Sequence, residues 1–274
     1  MLCKVKSMPK KIHLWVILLL AGILVNCSKD SETSGQGPDS VDRSANLLSA
    51  GSSGSDILTN ENFDRILIEV AYVEGFRPTA TALEHLRTFL LERTFKEEVS
   101  FTYRPLPSPG EETLTLEEIA SLETDNRTRY NDGRTLAFYI YFADAPSDGD
   151  EPSENLVTLG AVYRNTSMII HESTIRELAS RSVVITVSDV ETTTLTHEFG
   201  HLFGLVDLGT PEVNPHEDTA SSNHCAVEGC LMRAELEFGS GIMSVMEKRT
   251  AKGLDGLPVL DAECLLDLQD IGGR

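Results

Sequence analysis

The chain has 274 residues, 41% hydrophobic and 24% charged, the composition of an ordinary globular protein with a proper core. With 23 basic against 43 acidic residues its formal net charge is −20, and nearer −24 once the four lysines of the first 26 residues are set aside. That balance excludes nucleic acid as a partner, because phosphate binding needs a basic footprint. It favours solubility and names no substrate.

Residues 1–26 read as a secretion signal. Lys4, Lys6, Lys10 and Lys11 precede an apolar stretch from Leu14 to Val25 that is too short for a comfortable membrane span. The stretch runs into Asn26-Cys27-Ser28, which resembles the lipobox of bacterial lipoproteins. That resemblance implies Cys27 as the lipidation site and an extracytoplasmic protein. Its only membrane contact is then a lipid anchor, in the outer membrane and facing the periplasm or the cell surface. A plain signal peptide and an uncleaved anchor are the competing readings. Residues 27–57, rich in Ser, Gly and Asp, bury too little to offset their ordering entropy and read as a flexible tether. The folded domain is expected over residues 58–274.

Within that domain strands and helices alternate. Arg65 to Val73 is rich in β-branched residues and predicts a strand; Thr79 to Phe95 predicts an amphipathic helix with Leu83, Leu86, Leu90 and Leu91 on one side. Val99 to Leu106 reads as a second strand, closed by a Pro- and Gly-rich turn. Thr115 and Glu118 have capping-box spacing, so a short helix is expected from Thr115 to Thr124. Thr135 to Ala143 is nearly continuous apolar, as a central buried strand should be. Two short strands, Leu159 to Arg164 and Ser167 to Glu172, are close enough to pair antiparallel at a sheet edge. The acidic run Ser147 to Asn155 lacks EF-hand spacing and reads as a solvated loop rather than a calcium site. The fold class is therefore α/β (α+β): a mixed sheet with flanking helices.

The chemistry concentrates in His197-Glu198-Phe199-Gly200-His201. Ser188 and Glu191 also have capping-box spacing and predict a helix over 189–203. Residues four apart lie about 40° apart on a helix, so the imidazoles of His197 and His201 converge on one ion. Leu195, Phe199 and Leu202 fall on another face, expected to pack on the sheet. Zinc suits imidazole and, with three protein ligands, keeps a position open for water. A carboxylate beside that water, here Glu198, is placed to act as general base. Two histidines hydrogen-bonded in a core helix would be the bland alternative.

Gly204 then permits the left-handed turn that ends such a helix and returns the chain with a third ligand. HExxHxxG, followed by His224-Cys225 and then Cys230-Leu231-Met232, resembles the metzincin clan of zinc peptidases and, within it, the archaemetzincins. The Asp261 to Leu268 segment is similar to the ends of secreted flavobacterial metalloproteases. The resemblance implies a five-stranded mixed sheet, an active-site helix and a small C-terminal subdomain with a methionine turn. It assigns the metal to His197, His201 and His224, the general base to Glu198 and the methionine turn to Met232. Asp207 competes with His224 as third ligand on spacing alone. His216 reads as a surface-loop histidine, and Met243 and Met246 as packing residues of a helix near Gly241 to Glu247.

Cys225, Cys230 and Cys264 are expected to give one disulfide and one spare thiol in an oxidising compartment, a site of three thiolates with Asp261 being the alternative. The expected function is zinc-dependent endopeptidase action by a monomer on protein or peptide substrates, which would pair with the edge strand Leu159 to Arg164. The competing reading is a zinc-binding surface lipoprotein without useful turnover.

Overall fold

The computed structural model describes residues 42–274 apart from 152, 154–155, 238–240 and 255. Cys27, the expected signal segment and the first part of the expected tether lie outside the described residues. Among those described, no helix is long and apolar enough to cross a membrane.

Five strands form one sheet. β1 (Arg65–Val73), β2 (Glu98–Leu106) and β3 (Thr135–Phe142) are followed by β4 (Gly160–Arg164) and β5 (Ser167–Ile170). The spatial order is β2-β1-β3-β5-β4, parallel throughout except for β4, which pairs antiparallel with β5 at the edge. β3 sits at the centre and is buried from Leu136 to Phe142, which is why its sequence is apolar without alternation.

The two faces of the sheet are covered differently. On one side α2 (Ala80–Arg93) and α5 (Val187–Leu202) bury Leu83, Leu86, Leu195 and Phe199 against Ile66, Ile68 and Phe138, with Phe138 and Phe199 ring centroids 5.3 Å apart. On the other, α3 (Leu116–Asn126) brings Ile119 onto Tyr139, Tyr141 and Ile169. The Thr115–Glu118 capping box expected from spacing starts α3, each side chain bonding the other's backbone amide. The helix α4 (Glu172–Ala179) has no counterpart in the sequence reading, which assigned Glu172 to the end of a strand.

The C-terminal region consists of a long loop, α6 (Gly241–Ala251) and α7 (Ala262–Asp270). Its Leu231, Met232, Leu236, Met246 and Leu268 join the same core as the sheet and α5. Met243 and Met246 pack from α6, as expected.

One boundary needs correction. The tether was expected to run through residue 57, but folded structure is already present well before that point. A short helix α1 (Gly54–Leu58) has Ile57 and Leu58 fully buried. Asn46 is buried too, its side-chain amide donating to Asn131 Oδ1 (2.8 Å), the Ala137 carbonyl (3.0 Å) and Thr166 Oγ1 (3.1 Å). Composition averages over a segment, whereas one well-placed amide and two leucine-like residues are enough to fix it.

Candidate metal centre

α5 begins at a different cap from the one expected. Thr186, not Ser188, caps it, and Asp189 closes the box by accepting from the Thr186 amide at 2.8 Å. Glu191, expected to serve that box, turns inward instead. Both its oxygens accept from the Thr79 amide at 3.1 Å, and the Thr79 hydroxyl bonds it as well. From Val190 to Leu202 the helix is buried on every side.

Its last two turns carry the site. His197 and His201 place their Nε2 atoms 3.1 Å apart. Behind the helix, Gly200 faces Met232 so closely that a Cβ there would lie 2.1 Å from the Met232 sulfur. Met232, expected to form a methionine turn, therefore packs directly beneath the HExxH turn. Gly204, with φ of 84°, ends the helix. Val206 and Asp207 follow in the left-handed region, at φ 59° and 63°, and Asp207 is exposed.

The loop beyond then returns His224. The ligand atoms of His197, His201, His224 and Glu237 all lie within 4.8 Å of one another, and Asp207 has no place in that group. The structure thus brings His224, rather than Asp207, to the two helix histidines.

The hydrogen bonds fix which imidazole nitrogen faces inward. His197 Nδ1 lies 2.7 Å from the Leu231 carbonyl, and His224 Nδ1 lies 2.9 Å from that of Ser222. A carbonyl only accepts, so each Nδ1 carries a hydrogen, and each Nε2 is left facing the cluster, where it would bind a metal as the neutral imidazole. Backbone carbonyls that hold imidazoles in this way are the usual outer support of metal-binding histidines. Lone pairs converging in a buried pocket repel unless a cation stands between them. The donor set of three imidazole nitrogens and a carboxylate oxygen is one that zinc accepts.

Glu198 is fully buried, and neither carboxylate oxygen has a hydrogen-bond partner. Burial, followed by the negative charge of Glu237, pushes its pKa well above the ordinary carboxylate value. Gly160 on β4 admits it, because a Cβ there would come within 2.9 Å of Glu198 Oε1. Burial drives His201 down to about 4, outweighing the pull of the nearby Glu237 carboxylate. Glu237 is held well below the usual carboxylate range despite burial, because His197, His201 and His224 all surround it. Ala161, Val162, Glu198, His201, His224 and Glu237 line a cleft of about 210 Å³ beside the sheet edge. A larger cavity of about 270 Å³ lies on another side of α5 and holds none of these groups.

A second cluster adjoins the first in sequence. Cys225, Cys230, Asp261 and Cys264 present ligand atoms within 4.8 Å of one another. The expected disulfide is not formed: all three cysteines are free thiols, with Cys230 and Cys264 sulfurs 3.6 Å apart. The reason is that three thiols, from a tight loop and the first turn of α7, meet at one point instead of pairing. Asp261 caps α7 through Oδ1 on the Cys264 amide (2.9 Å) and turns Oδ2 to the Cys225 sulfur (3.5 Å). Cys225 and Cys264 hydrogen-bond Cys230 and draw its thiol down to about 4.

His216 is not the surface histidine expected. It is buried, with Nε2 3.5 Å from the Cys264 sulfur and 3.5 Å from Asp267 Oδ2. Sequence reasoning also missed Glu237, which has no motif spacing to the histidines and reaches them only through the fold.

No family model matches the chain, and no curated protein matches it. Among solved structures it is similar to archaemetzincin from Methanopyrus kandleri, at 14% identity and a TM-score of 0.47. The likeness covers 76% of this chain and 96% of that one.

Proposed function

We propose that the protein is a zinc-dependent endopeptidase, with His197, His201 and His224 as metal ligands and Glu198 as general base. The observation that carries this reading is the convergence of three imidazoles with a buried carboxylate, Glu198, beside them in one cleft. A purely structural ion has no need of that carboxylate. Zinc in this position supplies Lewis acidity and lowers the pKa of a water beside it.

The chain's own residues do the rest. The Glu198 carboxylate accepts a proton from the attacking water and passes it to the leaving amine. The exposed edge of β4, whose Ala161 and Val162 line the cleft, offers backbone groups to an extended peptide. Ligands, base and edge strand all belong to a metzincin-like arrangement. The thiol cluster around Cys230 is proposed as a second, structural metal site, with Asp261 completing the donor set. Residues 1–26 and Cys27 are proposed as a lipoprotein signal and anchor that place a monomeric enzyme outside the cytoplasm, in the manner of secreted flavobacterial-type lipoprotein metalloproteases.

A second reading, a zinc-binding surface protein without turnover, is favoured by the Glu237 carboxylate among the histidines. Metal content and casein hydrolysis separate the two. Glu198→Gln should keep its zinc and lose hydrolysis by about 10³-fold. Undiminished turnover in that variant removes Glu198 from the mechanism; zinc bound by both proteins with no hydrolysis by either leaves the second reading.

A further inference from the structure

The cleft contains one group that the proposed hydrolysis does not use. Glu237 follows a short 3-10 turn, Ala234–Leu236, whose Leu236 is buried in the core, and its carbonyl accepts from the Leu159 amide at 3.1 Å. Its backbone is thereby tied to the residue that leads into the edge strand β4. Its side chain is 12% exposed.

The carboxylate points at the histidines' inward nitrogens. Oε2 lies 2.6 Å from His224 Nε2 and 3.7 Å from each of His197 Nε2 and His201 Nε2. Those last two atoms are 3.1 Å apart. Four ligands in a tetrahedron at zinc distances are about 3.3 Å from one another. Those separations fall on both sides of that value, and all four atoms lie within 4.8 Å of one another, close enough to share one ion. Orienting His224 does not require the contact, because the Ser222 carbonyl already holds that ring through Nδ1. A carboxylate oxygen set among three imidazole nitrogens calls for a cation there, and the four atoms together form a ligand set for a metal ion.

We propose that Glu237 is a fourth protein ligand in the resting chain, closing the coordination position that hydrolysis needs open. This rests on the zinc-peptidase reading of the same site and adds a control to it. The enzyme is self-capped, and a peptide entering the cleft along Ala161 and Val162 must move the Glu237 carboxylate aside. The occupant of the cleft and the cap compete for one position, so the class of molecule that opens the site is an extended peptide backbone.

The test uses the full chain loaded with one equivalent of cobalt(II) at the histidine site, alongside Glu237→Ala and Glu237→Gln. Acetohydroxamate is titrated and read by visible absorption, and metal affinity is measured by chelator competition. Loss of metal affinity alone would also follow from a residue that merely orients a ligand, by about 10–100-fold. Acetohydroxamate affinity separates the roles, since a capped site binds in proportion to its open fraction. Both variants should bind it about tenfold more tightly than the unaltered chain, while holding cobalt more weakly. Glu237→Gln preserves the packing of the turn and guards against a misfolded Ala variant. Equal hydroxamate affinity in all three proteins overturns the cap. Cobalt retained fully by His201→Ala instead overturns the histidine site itself, and with it the reading beneath.

Discussion

His224 and Cys225 are neighbours in the chain, yet each belongs to a different ligand cluster. The histidine cluster lines a cleft at the sheet edge and keeps an unpartnered carboxylate, Glu198, beside it. The cysteine cluster is closed: three thiols and Asp261 face one another, with His216 and Asp267 behind Cys264. Closed sets of soft ligands build structure, whereas sets with an accessible side and a base do chemistry. The contrast teaches that one loop can do both because the chain reverses between the two residues. Around them the loop is pinned on both sides, Cys225 N to the Met232 carbonyl at 2.7 Å and Asp218 N to the His224 carbonyl at 2.7 Å.

The contrast breaks first at Cys230. If its cluster is architectural, Cys230→Ser should remove one equivalent of metal and lower the thermal midpoint by about 10 °C or more, since each kcal/mol is worth about 2–4 °C at this size. Metal analysis paired with calorimetry reads both quantities. An unchanged midpoint would mean that the thiol cluster does not hold the fold, and the division of labour would fall.

The two clusters also meet physically, at Met232. Its amide hydrogen bonds the Cys230 sulfur at 3.3 Å, while its own sulfur fills the space under Gly200. Gly200→Ala drives a methyl into that sulfur and should cost about 1–3 kcal/mol, as overpacking does. Because the strain falls between His197 and His201, zinc affinity at the histidine site should fall with it, and thiol-site metal should not. Chelator competition on the variant measures this. Loss of both metals together would show that the clusters are one cooperative unit.

Most of the scaffold was legible from residue periodicity. The continuous apolar run of β3, the Thr115–Glu118 box and the antiparallel pair at the edge each have a local cause. HExxH was equally legible, since helix geometry alone converges His197 and His201. What was not legible depends on chain reversal. His224 and Asp207 were both open by spacing, and the choice between them is made by consecutive left-handed residues at Val206 and Asp207 and by the loop's return. His216 sits in a polar, Pro-rich stretch that reads as surface, yet it is buried against Cys264 and Asp267 of α7. Glu237 carries no pattern at all. Asn46 was hidden in a composition that reads as disorder.

The smallest test concerns the start of α5, the helix that carries His197 and His201, where two capping boxes overlap in the sequence. Thr186 with Asp189 and Ser188 with Glu191 satisfy the same spacing rule, and local chemistry does not rank them. The fold does, because Glu191 is drawn away to Thr79 on α2's cap and cannot reach back to Ser188. Thr186→Ala should therefore cost about 1 kcal/mol in urea unfolding. Ser188→Ala should stay within about 0.5 kcal/mol of the unaltered chain. Neither should alter metal content, because three helical turns separate the cap from the histidines. The reverse order of stabilities would return the helix start to Ser188. A loss of metal from Thr186→Ala would show that the ligand turn depends on the whole helix, and so on more than the glycine contact beneath it.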